Sequence, residues 1–307
     1  MHPFRFAVHA SHATSGKDWL DKARRIEGLG YEALLVTDHL GRQLSPMAAM
    51  GAAAAVTSRL RIGAYVFAND FRHPLLVARE AATLDLLSNG RFELGLGAGW
   101  RPDDYRQLGY AYARPGRRID RLEEAIALIK RLLSGERVTH HGEHYRLDGA
   151  FVAPRPVQRP HPTIIMGGGG PRMLRLAAHE ADIVGLIPGF SPTGRPIMTD
   201  ATETAADRKV AVIREAAGAR FDSLVLDLFI ADAGMIGSGS PLPASLLSAG
   251  KAVATRLMGS PYLLYGTLRQ LREHLERRRA RTGISAYSIP EHALETMAPL
   301  VEALAGK

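Results

Sequence analysis

The stretch HPLLVAREAATLDLLSNGRFELGLGAGW, which spans residues 73–100, decides the fold class of this chain. Apolar side chains recur at helical spacing over residues 76–87, and Ser88-Asn89-Gly90 ends that helix. The apolar run 92–96 that follows indicates a short buried strand. The strand ends among three glycines, which allow a ligand to approach the backbone closely: Gly95, Gly97 and Gly99. The stretch therefore predicts a helix–strand unit with a ligand at the carboxyl end of the strand.

A second glycine-rich strand end occurs in TIIMGGGGPRMLRLAAHEAD, residues 163–182. The glycines lead into a helix that begins near Pro171, and proline suits the first position of a helix. Backbone N–H groups at a helix N-terminus bind anions, so this turn is a candidate phosphate site. The spacing is neither a Rossmann nor a Walker pattern, and a glycine turn without a ligand is the alternative. The candidate phosphate-binding residues are Gly167, Gly168, Gly169, Gly170 and Arg172.

Apolar strands and amphipathic helices alternate along nearly the whole chain. The predicted strands are residues 4–9, 33–37, 60–67, 91–96, 163–166, 183–187, 224–230 and 286–289. Eight strands in this order favour a closed (β/α)₈ TIM barrel over an open doubly wound sheet. No linker of low complexity divides the chain, so we expect residues 1–307 to form a single domain.

Three segments do not fit the simple repeat. Turn residues and Tyr, Val and Phe pairs in 135–162 predict a small β excursion before strand five. Segments 188–201 and 231–266 are loops rich in Gly, Pro or Ser, and the second continues into a predicted helix at 244–258. These insertions after strands four, six and seven lie where a barrel keeps its site, and we expect those after six and seven to cover it.

Composition excludes several classes of protein. The chain has no cysteine, which excludes disulfides and thiolate metal sites and makes the cytoplasm the expected location. No apolar run reaches ~18 residues, and the N-terminus reads as a strand rather than a signal peptide, so no membrane association is expected. The net charge of +8 is spread along helices without a recognition motif, which favours an anionic cofactor or substrate over nucleic acid.

Metal and nucleophile chemistry receive little support. His9 and His12 have H-x-x-H spacing instead of the H-x-H pair that a barrel hydrolase places after strand one. The HHGEH cluster at 140–144 lies outside the barrel strands, so no metal site is predicted. The sequence contains no G-x-S-x-G elbow and no cysteine nucleophile. His9 ends strand one, and we expect it to face the substrate pocket.

Five segments together form a recognisable pattern: VTDHL (36–40), SNGRFELGLGAGW (88–100), RPGRRIDRLEEAIALIKRLL (114–133), GERVTHHGEHYRL (135–147) and PRPVQRPHPTIIMGGGG (154–170). With it, nearly the whole chain resembles the bacterial luciferase-like flavin and deazaflavin oxidoreductases, most closely the branch that uses coenzyme F420. The resemblance implies a TIM barrel, a flavin-type ring at the carboxyl ends of the strands, and a homodimer. It also implies hydride transfer between coenzyme F420 and a small organic substrate.

The resemblance assigns roles to residues that the sequence alone leaves open. His39, after strand two, is a histidine able to relay a proton, or one that caps a loop. The family places this Asp-His pair beside the ring, which implies that His39 is catalytic and contacts the cofactor. Asp38 is then its catalytic neighbour or orienter.

The third strand and the first glycine turn also take their roles from the resemblance. Alone, strand three reads as an ordinary core strand. Deazaflavin-dependent relatives have a non-proline cis peptide here, which implies Tyr65–Val66 as a bulge behind the ring. Gly97 and Ala98 would pass under the cofactor. Trp100 stands where a sugar-phosphate dehydrogenase branch has an acidic residue, so it is expected to wall the substrate pocket, and that substrate is disfavoured.

Three other functions stay open at this point. One is an FMN-dependent luciferase-like monooxygenase that uses oxygen. Another is a barrel that binds flavin without catalysis, and the third is a cofactor-free lyase or isomerase of a phosphorylated metabolite. Fold alone does not separate them, and the sequence names neither the substrate nor the direction of transfer.

Overall fold

The structure is a computed structural model that describes residues 1–191, 197–236 and 259–307. In these residues, eight parallel strand positions form one closed sheet, in which β3 pairs with β5 to complete the ring. The barrel strands are β1 (Arg5–His9), β2 (Ala33–Val36), β3 (Arg61–Ala64) continued by β4 (Phe67–Ala68), β5 (Phe92–Gly97), β8 (Thr163–Gly168), β9 (Ile183–Leu186), β10 (Val225–Phe229) and β13 (Ile284–Pro290). The predicted TIM barrel is confirmed.

Helices cover the outside of the barrel. In the described ranges they are α1 (Gly16–Gly28), α2 (Pro46–Val56), α3 (Pro74–Leu87), α4 (Pro102–Leu108), α5 (Pro115–Leu133), α6 (Pro171–Glu180), α7 (Glu203–Ala217), α8 (Leu268–Thr282) and α9 (Leu294–Leu304). Five of them begin with proline, at Pro46, Pro74, Pro102, Pro115 and Pro171, as expected where a first-turn N–H has no intrahelical partner. None of the described helices is long and apolar enough to cross a bilayer.

The insertions have their own small structures. Within the excursion at 135–162, β6 (Val138–His141) pairs antiparallel with β7 (Arg146–Ala150). After strand seven, β11 (Asp232–Met235) pairs parallel with β12 (Leu263–Gly266). The helix predicted at 244–258 lies outside the described residues, as does part of the loop 188–201.

The interior of the barrel is separate from the larger apolar layer between strands and helices. Its small apolar cluster is formed by inward-facing residues of alternate positions, including Leu35, Tyr65 and Ile165. At the amino end of the strands, the buried carboxylate of Glu93 accepts hydrogen bonds from Arg5 at 2.6 Å and Arg61 at 2.5 Å. Burial alone would raise the pKa of Glu93, but the two arginines outweigh it and lower that pKa. The floor is thus closed by a compensated ion cluster, and the barrel opens at its other end.

Candidate active site

A cavity of about 1060 Å³ lies at the carboxyl ends of the strands. It brings together residues from the ends of all eight barrel strands and from the loops that follow them. The predicted site residues that line it are His9, Asp38, His39, Tyr65, Val66, Gly97, Ala98, Trp100, Gly167, Gly168, Gly169 and Gly170. Arg172 is not part of this lining. Predicted residues from five strand ends distant in sequence therefore share one cavity.

His39 is oriented by a carboxylate that the sequence did not indicate. Its Nδ1 lies 2.7 Å from Oδ2 of Asp104, which is 2% exposed, while the other carboxylate oxygen of Asp104 accepts the backbone N–H of Leu40. A carboxylate accepts hydrogen bonds, so Nδ1 carries the proton and donates it. The tautomer is therefore fixed, and Nε2, for which the described residues provide no hydrogen-bond partner, is the atom of His39 left to accept a proton.

The prediction that Asp38 orients His39 is wrong. The Asp38 carboxylate forms a two-point ion pair with Arg72 and accepts the backbone N–H of Ala68 at 3.0 Å. Its oxygens are directed at the chain just after strand three, because that chain supplies both a cation and a free N–H. Asp38 thus holds the segment that follows Tyr65–Val66, and it acts on the site through the backbone.

The peptide bond Tyr65–Val66 is cis, as the resemblance implies, and it divides the predicted strand 60–67 into β3 and β4. The Tyr65 hydroxyl donates to Asp227 at 2.5 Å, and the Ser288 hydroxyl donates to the same carboxylate. Burial, followed by the nearby Asp227 charge, raises the pKa of Tyr65, so the hydroxyl remains a donor. Both Tyr65 and Val66 line the cavity.

The glycines of the first turn are required for a reason that differs from the predicted one. A Cβ on Gly95 would lie 1.8 Å from the Ala64 carbonyl oxygen, and one on Gly97 would lie 2.5 Å from Cγ2 of Val66. These two glycines therefore make room for strand three and its bulge, rather than for a ligand. Gly97 still lines the cavity beside Val66.

The second glycine turn does contain free space. A Cβ on Gly168 would meet Met173 at 2.4 Å, and one on Gly169 would meet Gly189 at 2.9 Å, so packing requires both. A Cβ on Gly167 would have its nearest neighbour at 3.7 Å, and a Cβ on Gly170 would have no atom within 4 Å. Gly170 caps α6 without a side-chain hydrogen bond, which leaves the helix N-terminus open to an anion.

Arg172 does not take the predicted place in the site. Its guanidinium pairs with Asp120 and donates to the Gly116 carbonyl at 3.2 Å, and its side chain is half exposed. The second position of α6 directs this side chain toward α5 and away from the cavity. The predicted phosphate contact of Arg172 is therefore replaced by a link between two helices.

Two aromatic stacks flank the cavity. Trp100 lies parallel to Phe190 with ring centroids 4.2 Å apart, and the edge of the His39 ring meets Trp100 at 5.3 Å. Across the barrel, His9 stacks on Phe229 at 4.7 Å. Its Nε2 lies 3.0 Å from the carbonyl of Ile230, so that nitrogen is the donor. Burial lowers the pKa of His9 to about 4, and His9 is neutral near pH 7.

Two functional residues were missed by sequence reasoning. Asp104 lies on the short helix α4, whose signals in RPDDYRQLG are a proline at the first position and Gly109 with φ of 70° after the end. Arg118 is buried and donates to the carbonyls of Ala98, Gly99 and Ala113, which fixes the first glycine turn. In the sequence, nothing distinguishes Arg118 from the other arginines of a basic helix.

A TIM barrel with a cavity at the carboxyl ends of its strands and a histidine–carboxylate pair in that cavity has the arrangement of a barrel enzyme. The chain belongs to the family described as luciferase-like monooxygenase, whose model matches residues 1–214. The resemblance to this family is thereby confirmed.

Two relatives match the chain over part of its length. The chain is 35% identical over 220 residues to the F420-dependent glucose-6-phosphate dehydrogenase of Nakamurella multipartita, covering 67% of this chain and 64% of that protein. It is 34% identical over 189 residues to the enzyme of the same name from Microbacterium testaceum, covering 59% and 55%. The chain thus spans less than two thirds of the length of either relative.

Solved structures match over nearly the whole chain at low identity. The F420-dependent tetrahydromethanopterin reductase of Methanopyrus kandleri has a TM-score of 0.77 at 19% identity, covering 98% of this chain and 99% of that one. The monooxygenase RslO1 of Streptomyces bottropensis also has a TM-score of 0.77, at 21% identity, with 97% and 96% covered. These similarities establish the fold.

Proposed function

We propose that the protein is an oxidoreductase that uses coenzyme F420 to move a hydride to or from a small organic substrate. The observation that carries this proposal is a single cavity that joins the open N-terminus of α6 to Nε2 of His39. The names of the relatives from Nakamurella and Microbacterium support F420 as the cofactor.

The residues present fit such a cofactor. A volume of about 1060 Å³ lies at the upper end of the ~300–1,000 Å³ range of single-ligand pockets, which leaves room for a substrate beside the cofactor. Gly167 and Gly170 offer free space and backbone contacts for a phosphate. Val66, Gly97 and Ala98 would form the wall behind the ring.

The bound coenzyme supplies the hydride acceptor or donor. The protein supplies the atom that accepts the proton. Asp104 holds the Nδ1 proton of neutral His39, which leaves Nε2 unprotonated. When Nε2 takes a substrate proton, the buried Asp104 carboxylate stabilises the imidazolium that forms. In the opposite direction the same atom returns the proton. Trp100 and Phe190 cover this end of the cavity and limit the access of water.

We extend the proposal to a homodimer in the cytoplasm. Leu76, Leu86 and Leu87 of α3 are 45%, 43% and 65% exposed, and α2 beside it is almost entirely apolar. An apolar face of this kind on a barrel helix favours burial against a second copy. Sedimentation equilibrium tests it: Leu87→Glu should shift the protein to monomer, and a wild type that is monomeric refutes it.

Equilibrium titration of the apo-protein tests the cofactor. We expect tighter binding of F420 than of FMN, and a loss of F420 affinity as salt rises, because the glutamate carboxylates of its tail meet a basic protein. Tight FMN binding without F420 binding would instead support the monooxygenase function. Binding of F420 with no turnover of any substrate would support a non-catalytic flavin-binding barrel.

A further inference from the structure

A buried lysine on α7 joins the segments that follow strands six and seven of the barrel. Lys209 is 4% exposed. Its ammonium group donates to the carbonyl of Ile187, directly after β9, at 2.9 Å and to the carboxylate of Asp200 at 2.6 Å. It also donates to the hydroxyl of Tyr262 at 3.0 Å, and the Tyr262 carbonyl accepts the N–H of Ala231 at 2.8 Å. One side chain outside the barrel is therefore bonded to both segments.

Two of the groups that this lysine holds are in contact with the second glycine turn. The N–H of Ile187 donates to the carbonyl of Gly168 at 3.4 Å. Asp200 accepts the N–H of Gly189 at 2.5 Å, through the same Oδ2 atom that binds the ammonium group. Gly189 packs directly on Gly169, because a Cβ added to Gly169 would lie 2.9 Å from the Gly189 nitrogen. The backbone after β9 thus lies between the lysine–carboxylate pair and the glycine turn.

The same backbone is connected to His39 through two aromatic rings. Gly189 precedes Phe190, whose ring is parallel to that of Trp100 with the centroids 4.2 Å apart. The edge of the His39 ring meets Trp100 at 5.3 Å. Close-packed groups transmit displacements, so the position of Gly189 limits where the Phe190 ring lies, and that ring limits where Trp100 lies.

The ammonium group is an expensive way to fill this position. Burial lowers the pKa of Lys209, and the Asp200 carboxylate opposes that shift. An apolar side chain of similar length would occupy the volume between α7 and the barrel without the cost of desolvating a charge. What such a side chain could not do is direct the Ile187 carbonyl and the Asp200 carboxylate by hydrogen bonds.

We propose that Lys209 is a positioning residue of the active site. With Asp200 it fixes the backbone of Gly189, and through that backbone it sets the second glycine turn. Through Phe190 it also sets the Trp100 ring beside the histidine. Its expected effect on turnover rests on the proposed function, whereas its effect on the position of Trp100 does not require a coenzyme.

Tryptophan fluorescence of the cofactor-free protein tests the position of Trp100. The chain has two tryptophans, and Trp19 is 3% exposed, so acrylamide quenches mainly Trp100. Lys209→Met keeps the length of the side chain and allows Asp200, whose side chain is 28% exposed, to turn to water. The quenching constant should rise at least twofold in Lys209→Met, as it should in Phe190→Ala, which removes the ring partner directly.

Lys130→Met is the matched control. Lys130 pairs with Glu180 at 2.6 Å and joins α5 to the C-terminal end of α6, so its loss also removes a lysine–carboxylate pair between two elements. This control should lower the melting temperature at most, with the quenching constant, the F420 Kd and kcat as in the wild type. In Lys209→Met the F420 Kd should rise at least threefold and kcat should fall at least fivefold, measured below the melting temperature of each variant.

Asp200→Ala provides a second variant that tests the same contact if Lys209→Met does not fold. It removes the acceptor of the Gly189 N–H and should give the same changes, and the double variant should add little to either single one. A lower melting temperature with unchanged quenching and F420 Kd, or additive effects in the double variant, would overturn the inference. Failure of the wild type to bind F420 refutes the proposed function instead, and the quenching constants still decide the role of Lys209.

Discussion

The pair formed by His39 and Asp104 gives the sharpest prediction. Asp104→Asn keeps the size of the side chain, and its carbonyl oxygen can still accept the Leu40 N–H. Its amide nitrogen then faces Nδ1 of His39 and donates to it. The proton of neutral His39 moves to Nε2, so the atom that should accept a substrate proton can no longer do so.

The magnitude follows from the geometry. The Nδ1–Oδ2 distance is 2.7 Å, and Asp104 is 2% exposed, so solvent screens this contact weakly. A hydrogen bond to a charged group contributes about 1.5–3 kcal/mol. Since about 1.4 kcal/mol corresponds to a factor of ten, the loss of this contact when His39 becomes charged lowers kcat roughly tenfold to 150-fold.

The assay is turnover at saturating F420 and substrate, together with the Kd of the coenzyme. We expect kcat to fall within this range and Kd to change less than threefold, because Asp104 contacts His39 rather than the glycine turns. Asp103→Asn is the control on the same helix, since Asp103 is half exposed and its ion pair within the described ranges is with Arg106 at 2.9 Å. Equal kcat in Asp104→Asn and the wild type, or an equal loss in Asp103→Asn, would refute the role of Asp104.

Three further predictions concern single residues. His39→Ala should lower turnover at least tenfold while coenzyme affinity stays within a few-fold; a loss of thermal stability with intact turnover per loaded molecule would indicate a loop anchor only. Gly167→Ala places a Cβ toward the cavity without a clash in the protein and should raise the coenzyme Kd tenfold or more (~1.4 kcal/mol), whereas Gly28→Ala, also in open space, should leave Kd unchanged. Glu93→Gln should reduce the free energy of unfolding by about 3–5 kcal/mol at pH 7 in denaturant titrations, because the partly buried Arg5 and Arg61 lose a fully buried counter-ion. The pKa of Glu93 is lower in the folded than in the unfolded protein. The stability that this carboxylate contributes is therefore fully present above its unfolded pKa and is lost as the pH falls through its folded pKa. The difference in unfolding free energy between wild type and variant should shrink in acid.

The order of elements could be predicted because it depends on local patterns. Apolar strands alternating with amphipathic helices indicate a parallel α/β fold whatever the details of its loops, the count of eight favours a barrel, and the structure has the eight strands in the predicted order. Helix α4 escaped prediction because a helix of seven residues is too short for a periodic apolar pattern. The division of strand three at Tyr65–Val66 came only from the resemblance, since no local residue preference indicates it.

The partners of site residues could not be read from the sequence. Asp38 is next to His39 in the chain, yet successive residues at a strand end point in different directions, and Asp38 reaches Arg72 instead. Asp104 is 65 positions from His39, and only the packing of α4 against the end of strand two brings them together. The sequence therefore indicates that His39 lies at the carboxyl end of strand two, where the cavity is, but adjacency in sequence does not identify the carboxylate that binds its Nδ1.

The two glycine turns show why a motif needs its three-dimensional context. Both read alike in the sequence, as glycines at a strand end that leave room for a ligand. At Gly95 and Gly97 the room is already occupied by Ala64 and Val66, so an added methyl group there would displace the bulge. At Gly167 the room faces the cavity. A variant at Gly97 and one at Gly167 should thus both weaken coenzyme binding, but only the Gly97 variant should also lower the melting temperature of the cofactor-free protein. An equal loss of melting temperature in both variants would show that the glycines at 167 and 97 serve packing alike, and the phosphate site would then have to lie elsewhere in the cavity.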